Sequence, residues 1–178
     1  QLIRYLEKLD HENEYVVFLR TENWDDYVSA APNFKKIRAP WRWYTLAEQL
    51  QMPRLVDSLK LDLVHYPHFN VPIFTHTPFV VTIHDLNLLE YPKAGITNLD
   101  PIRFWTKYLG YRFVLASALK KARKIITVSE TTRTAILQRF SISPEKIIAI
   151  PLGYLLPTEK LPTTDYRLPT TDYLLAVG

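Results

Sequence analysis

Apolar residues recur along the chain in two rhythms, and the two alternate. Leu2, Ile3, Leu6 and Leu9 follow helical spacing, whereas YVVFL at 15–19 is a short, nearly unbroken apolar run behind the turn-prone segment DHENE. Runs of the second kind return as LDLVH, FVVTI, KIITV and KIIAI, each preceded or followed by a stretch with helical periodicity. The pattern predicts strands over 15–20, 34–38, 61–65, 79–83, 124–128 and 146–150, and helices over 1–9, 43–59, 101–122 and 130–139. Strands that are apolar almost throughout, without a polar residue at every second position, are covered on both faces. The expected fold class is therefore α/β, with a Rossmann-like, mostly parallel sheet flanked by helices.

Punctuation refines this outline. Pro53 lies inside the 43–59 stretch and is expected to divide it, leaving one helix through about Leu50 and a second beginning at Pro53. Ser129 stands where it can cap the helix after KIITV, and Ser143-Pro144-Glu145 makes a turn before KIIAI. Beyond Gly153 the character changes. LPTTDY occurs at 161–166 and again at 168–173, which reads as an extended linker over 154–172, and YLLAV then resembles a new buried strand. The predicted organisation is one domain over 1–153, the linker, and at 173–178 the first strand of a further domain.

Composition removes several classes of function. The 178 residues include no cysteine, which excludes disulfide frameworks, thiolate nucleophiles and cysteine-bound zinc. Four glycines, with no G-x-G-x-x-G or G-x-x-x-x-G-K pattern, leave little from which to build a phosphate cradle. The absence of cysteine fits a reducing compartment, so the cytoplasm is the expected location, and no apolar run approaches the eighteen or so residues of a membrane span, so a soluble chain is expected. The formal net charge of +4 is concentrated in one place. Between Pro101 and Ser129 there is no acidic residue, while Arg103, Lys107, Arg112, Lys120, Lys121, Arg123 and Lys124 all fall there. Such a stretch suits phosphates, anionic lipid or nucleic acid, and equally a solvated helix face.

Ligands of open parallel sheets bind beyond the carboxyl ends of the strands, where loop amides and helix N-termini converge. Three loops qualify: His65 to Asn70, His84-Asp85-Leu86, and the helix start at Ser129. His84 and Asp85 offer an imidazole beside a carboxylate, but neighbours on an extended strand point to opposite sides, so a working pair and a structural histidine both stay open. His65-x-x-His68 with His76 and His84 could be drawn as a metal cluster, yet the spacing is unspecific around Pro67 and no metal is expected. Ser129 lacks the glycine-flanked turn of a nucleophile elbow, so a serine hydrolase is not expected. Trp24, Trp41, Trp43 and Trp105 serve either stacking or core packing.

Taken together, VVTIHDLNLLEYP, the basic helix after it, KIITVSETTRTAIL and SPEKIIAIPLG, with LAEQL and LDLVHYPHFNVP upstream, resemble the N-terminal half of bacterial glycosyltransferase family 4 enzymes. The similarity runs from about Gln1 to Gly153. The resemblance implies the two-Rossmann GT-B architecture, with a first strand and glycine-rich loop lying ahead of the helix at 1–9. It implies transfer of a sugar, with retention of configuration, from a nucleotide-sugar donor to an acceptor in a cleft between two domains. The N-terminal domain would hold the acceptor. The donor is a substrate bound mainly by the C-terminal domain, so no separate cofactor is implied and this domain alone would be inactive.

Residue by residue, the resemblance places His84 near the donor sugar as the catalytic group, with Asp85 orienting its loop. It turns Tyr66, His68 and Asn70 toward the acceptor and sets Ser129 and Arg133 against an anionic group. Leu152 stands where the family carries Asn before the glycine at the domain crossing. Lipid-linked acceptors among related enzymes suggest an anionic membrane surface as a partner, contacted through Lys120, Lys121, Arg123 and Lys124, and a peripheral location at the inner membrane face. Two rivals follow from other classes. One is a basic α/β module that binds a membrane surface or nucleic acid without catalysis, although no recognised nucleic-acid motif is present; the other is an epimerase or phosphorylase of the same shape.

Overall fold

The computed structural model describes residues 2–92 and 100–153. The expected linker at 154–172 and strand at 173–178 lie outside the described residues. In chain order the elements are α1 (Leu2–Leu9), β1 (Tyr15–Leu19), β2 (Phe34–Arg38), α2 (Leu46–Ser58), β3 (Val64–Tyr66), β4 (Phe79–Ile83), the short α3 (Asn87–Glu90), α4 (Pro101–Lys121), β5 (Lys124–Thr127), α5 (Glu130–Arg139) and β6 (Ile147–Ala149). Every strand pair is parallel, as the unbroken apolar runs predict. The strands fall into two hydrogen-bonded groups, β1-β2 and β3-β4-β5-β6.

The central strand of the larger sheet shows why its sequence lacks alternation. Val81 and Thr82 point to opposite faces, and both are buried, so β4 is covered from above and below. Val56 of α2, Leu115 and Leu119 of α4, and Ile136 of α5 meet Val81, Ile83 and Ile125 in one core, against which Phe18 of β1 also packs. Helix α4 reaches this core through Leu115, Ala118 and Leu119, while Phe104 and Tyr108, buried one turn and more toward its start, stack on each other. That is the stripe expected where a long helix lies against a sheet.

Three predicted features need correction. Helix α2 does not divide at Pro53 but runs unbroken from Leu46 to Ser58. Proline removes only the amide that would bond the Gln49 carbonyl, and Pro53 and Val56 are the buried residues of this helix. Tertiary burial therefore decides where local propensity argued for a stop. The same helix starts at Leu46 and not at 43, because Tyr44 adopts a left-handed backbone (φ 60°) and Thr45 is the N-cap. The Thr45 hydroxyl accepts the Glu48 amide at 3.2 Å. Strand β3, expected over 61–65, is shorter and later, beginning where the Val64 amide bonds the Pro78 carbonyl at 2.9 Å.

Candidate functional site

Strands β3 and β4 run parallel and adjacent, so the segments that follow them emerge side by side. His68 and Phe69 come from the first, and His84 and Asp85 from the second. Together with Leu88 of α3 and Tyr111 of α4 they line a cleft of about 90 Å³. That is well below the roughly 300 Å³ at which ligand pockets begin, so the cleft by itself does not enclose a ligand. A larger hollow of about 210 Å³ is lined by Leu50, Pro53, Arg54, Asp57, Phe74 and His76 and contains none of the strand-end residues.

The cleft places His84 and Asp85 on the same wall because the strand ends at Ile83 and its alternation no longer applies. They do not act as a hydrogen-bonded dyad. The His84 ring donates from Nε2 to the Pro67 carbonyl at 3.0 Å, which leaves Nδ1 as the ring's acceptor. Asp85 Oδ1 accepts the Asn87 amide at 3.0 Å and so shapes the start of α3. The backbone of His84 is also held, since its carbonyl accepts the Thr132 hydroxyl of α5 at 3.1 Å.

His68 lies 6.5 Å from the His84 ring, centroid to centroid, and packs on Phe69 at 4.2 Å. Burial, and then the neighbouring His84, push its pKa below the usual imidazole range, with Asp85 partly opposing. Phe69 meets the Tyr111 ring edge to face at 4.7 Å. Burial, and then the charge of Asp85, raise the Tyr111 hydroxyl to about 12, so it remains a neutral donor. Tyr44 approaches the same cluster, 6.4 Å from His68 and 6.2 Å from Phe69.

A single carboxylate holds this aromatic side in place. Glu48 accepts the Tyr44 amide at 2.7 Å and the Asn70 side-chain amide at 3.0 and 2.9 Å. Asn70, expected to face the acceptor, is thus occupied in bracketing two loops. Tyr66 belongs to the core: it is buried, edge-on to Phe79, with its hydroxyl 3.4 Å from that of Thr75. Of the three β3-loop residues assigned to the acceptor by resemblance, His68 alone lines the cleft.

Ser129 is an N-cap, accepting the Thr132 amide at 3.1 Å. Arg133 turns toward β6, with Nε 3.4 Å from the Ile147 carbonyl and a terminal nitrogen 3.4 Å from Glu130. Neither lines the cleft. Ser129→Ala is expected to cost about 1 kcal/mol of stability, the usual worth of a cap, in urea denaturation. A loss of acceptor affinity without that stability change would instead give the hydroxyl a binding role.

The cationic residues at the end of α4 divide in two. All four are exposed; Lys121 donates to the Ile73 carbonyl and Lys124 to the Glu145 carbonyl at 2.7 Å, while among the described residues the side chains of Lys120 and Arg123 make no hydrogen bond. Among the described residues no group of three or more His, Asp or Glu could hold a metal ion. His65 pairs with the Thr82 hydroxyl at 2.9 Å and His76 with Asp57 at 3.2 Å. No described helix is long and apolar enough to cross a membrane.

Sequence reasoning missed Tyr44, Phe69, Leu88 and Tyr111. For Tyr44 a signal was present in Thr45-x-x-Glu48, the spacing of a capping box, which fixes the helix start and exposes the turn before it. Tyr111 shares the sheet-facing side of α4 with Phe104, Tyr108 and Leu115, so periodicity finds its side of the helix but not the strand end it meets.

Comparison with known proteins gives two similarities. Residues 1–154 match the family described as Glycosyltransferase Family 4. Over 111 residues the chain is 25% identical to the O-antigen chain mannosyltransferase RfbU of Salmonella typhimurium, a stretch that makes up 62% of this chain and 28% of that protein. The aligned stretch thus spans under a third of the length of this relative.

Proposed function

This chain belongs to glycosyltransferase family 4, and on that premise we propose that it supplies the acceptor-side wall of a retaining glycosyltransferase that takes its sugar from a nucleotide-linked donor. The observation that carries this reading is the composition of the strand-end cleft. His68, His84 and Asp85 offer polar groups, while Phe69, Leu88 and Tyr111 offer apolar and aromatic surface. A sugar has the same two-sided character, with hydroxyls around its rim and C–H groups on its faces, so stacking and hydrogen bonding can act together. The small, open shape of the cleft suits one wall of a groove whose other wall belongs to a donor-binding domain.

In the reaction, the bond between the anomeric carbon and the diphosphate oxygen breaks as the acceptor hydroxyl oxygen bonds the same carbon. The acceptor proton ends on the departing diphosphate. Positive charge builds on the sugar ring as the old bond lengthens. His84, fixed through Nε2 to Pro67 and through its carbonyl to Thr132, presents Nδ1 as an acceptor for a hydroxyl of that sugar. A group held in advance stabilises developing charge without having to reorganise. Asp85 adds negative charge on the same wall and sets the loop through Asn87. The similarity to a mannosyltransferase makes mannose the first donor sugar to test.

The test is sugar transfer from nucleotide-linked hexoses, nucleotide-linked mannose first, by the whole protein, with the product's anomeric configuration read by NMR. Transfer with retention is expected, and the present chain alone is expected to show no turnover. Inversion of configuration, hydrolysis or epimerisation without an acceptor product, or robust transfer by the isolated chain would overturn the proposal.

A further inference from the structure

The segment after β2 brings two aromatic rings to the edge of the cleft. Strand β2 ends at Arg38, and the chain then runs through Trp41, Arg42, Trp43 and Tyr44 before α2 begins. Trp43 and Tyr44 are 62% and 64% exposed, so two large rings that are neighbours in the chain both stand in water. Tyr44 approaches His68 and Phe69 of the cleft. Trp43 meets Arg20, the first residue after β1, whose guanidinium lies 5.7 Å from the indole centre. Arg20 is itself paired with Glu22 at 2.7 Å, so its charge is matched and its contact with Trp43 steadies the ring.

The turn is built to hold these rings out. Tyr44 has a left-handed backbone, φ 60°, which is costly for a bulky residue and which glycine adopts freely. It is kept there by Glu48, which accepts its amide, and by the Thr45 hydroxyl, which donates to the Arg42 carbonyl at 2.7 Å. Trp41 is tied down too, its indole N–H donating to Gln51 at 2.6 Å. Backbone strain of this sort persists where its surroundings impose it, and it concentrates at binding sites.

Exposed aromatic rings beside a sugar-handling cleft have a chemical match in the C–H faces of sugar rings. His68 stands between the two regions, 6.5 Å from the His84 ring and 6.4 Å from that of Tyr44. A single sugar unit set against His84 cannot also cover Tyr44 and Trp43. A chain of two or more units can.

We propose that Trp43 and Tyr44 form an acceptor subsite that stacks the sugar units behind the reacting one, so that the acceptor is an oligosaccharide. Arg20 is a positioning residue for Trp43. The inference rests on the sugar-transfer reading and adds to it the class of acceptor.

The experiment applies the whole protein to a printed array of defined mono-, di- and trisaccharides and then measures transfer from nucleotide-linked mannose to the same sugars. Di- and trisaccharides should be retained, with a lower KM than the monosaccharide of the same terminal unit. Trp43→Ala should raise the oligosaccharide KM about tenfold, the size of one lost stacking contact, and the monosaccharide KM much less. Trp43→Phe should restore most of the loss. Tyr44→Gly removes a ring where glycine fits the backbone, so array binding should weaken while the unfolding midpoint does not fall. Arg20→Met should raise the oligosaccharide KM about threefold, more than it lowers kcat, with rescue by Arg20→Lys. If no oligosaccharide is retained, or if Trp43→Ala leaves the oligosaccharide KM unchanged in a protein that transfers sugar, the subsite is overturned, and in the second case the transfer reading stands. Oligosaccharide binding that depends on Trp43, without any transfer, would support the subsite and remove the transfer reading.

Discussion

In the whole protein, His84→Ala is expected to lower kcat for sugar transfer by about 100-fold or more while the unfolding midpoint barely moves. The size follows from its proposed task, since removing one prearranged group that stabilises transition-state charge typically costs a factor of about 10² to 10³. The small effect on folding follows from its position. His84 is exposed, and its one side-chain hydrogen bond, to the Pro67 carbonyl, is open to replacement by water, so its loss should cost no more than about 1 kcal/mol. The loss should fall on kcat more than on the acceptor KM, because the interaction strengthens only as charge develops. His84→Gln sharpens the comparison, since its amide can still donate to Pro67 and so keeps the loop while changing the group offered to the sugar. Near-normal kcat in both variants would assign the histidine to loop packing and remove it from the chemistry.

Leu115→Ala should destabilise the fold by about 3 kcal/mol, within the roughly 2 to 5 kcal/mol seen for buried leucines. Leu115 is 0% exposed and belongs to the core with Val81, Ile83 and Ile125. Truncation removes three heavy atoms' worth of apolar burial and leaves a space between α4 and the sheet that neighbours on rigid strands cannot fully close. Chemical denaturation should show the urea midpoint falling with an unchanged slope, which marks lost stability without a change in the surface exposed on unfolding. Leu109→Ala on the same helix is the control. Its side chain is already largely in water, so the change should stay within about 0.5 kcal/mol. Equal effects at the two positions would mean that α4 is not packed on the sheet through the face carrying Leu115.

The parallel α/β architecture could be read from the sequence because doubly covered strands must be apolar at consecutive positions, as FVVTI is. The ends of the strands could be read as well, which is how His68, His84 and Asp85 were found. What could not be read was the direction in which each loop side chain turns. Tyr66 has the same polar tip as Tyr111, yet one lies in the core and the other at the cleft, and the difference comes from packing against Phe79 and Phe69 from other parts of the chain. Asn70, Ser129 and Arg133 looked free to bind a ligand because their partners are chosen by the fold: Glu48 across twenty-two residues, a helix amide, and the Ile147 carbonyl. Pro53 misled for the complementary reason, since a propensity of a few kcal/mol is a local quantity and burial is not.

The two faces of α4 have a geometric consequence. Tyr111 points into the cleft, while Leu109 and Phe113 point the other way, so the thickness of one helix, about 10 Å, separates them. Substitutions on the outer face are therefore screened from the cleft by the full width of the helix, so stability and turnover can be perturbed independently through one element.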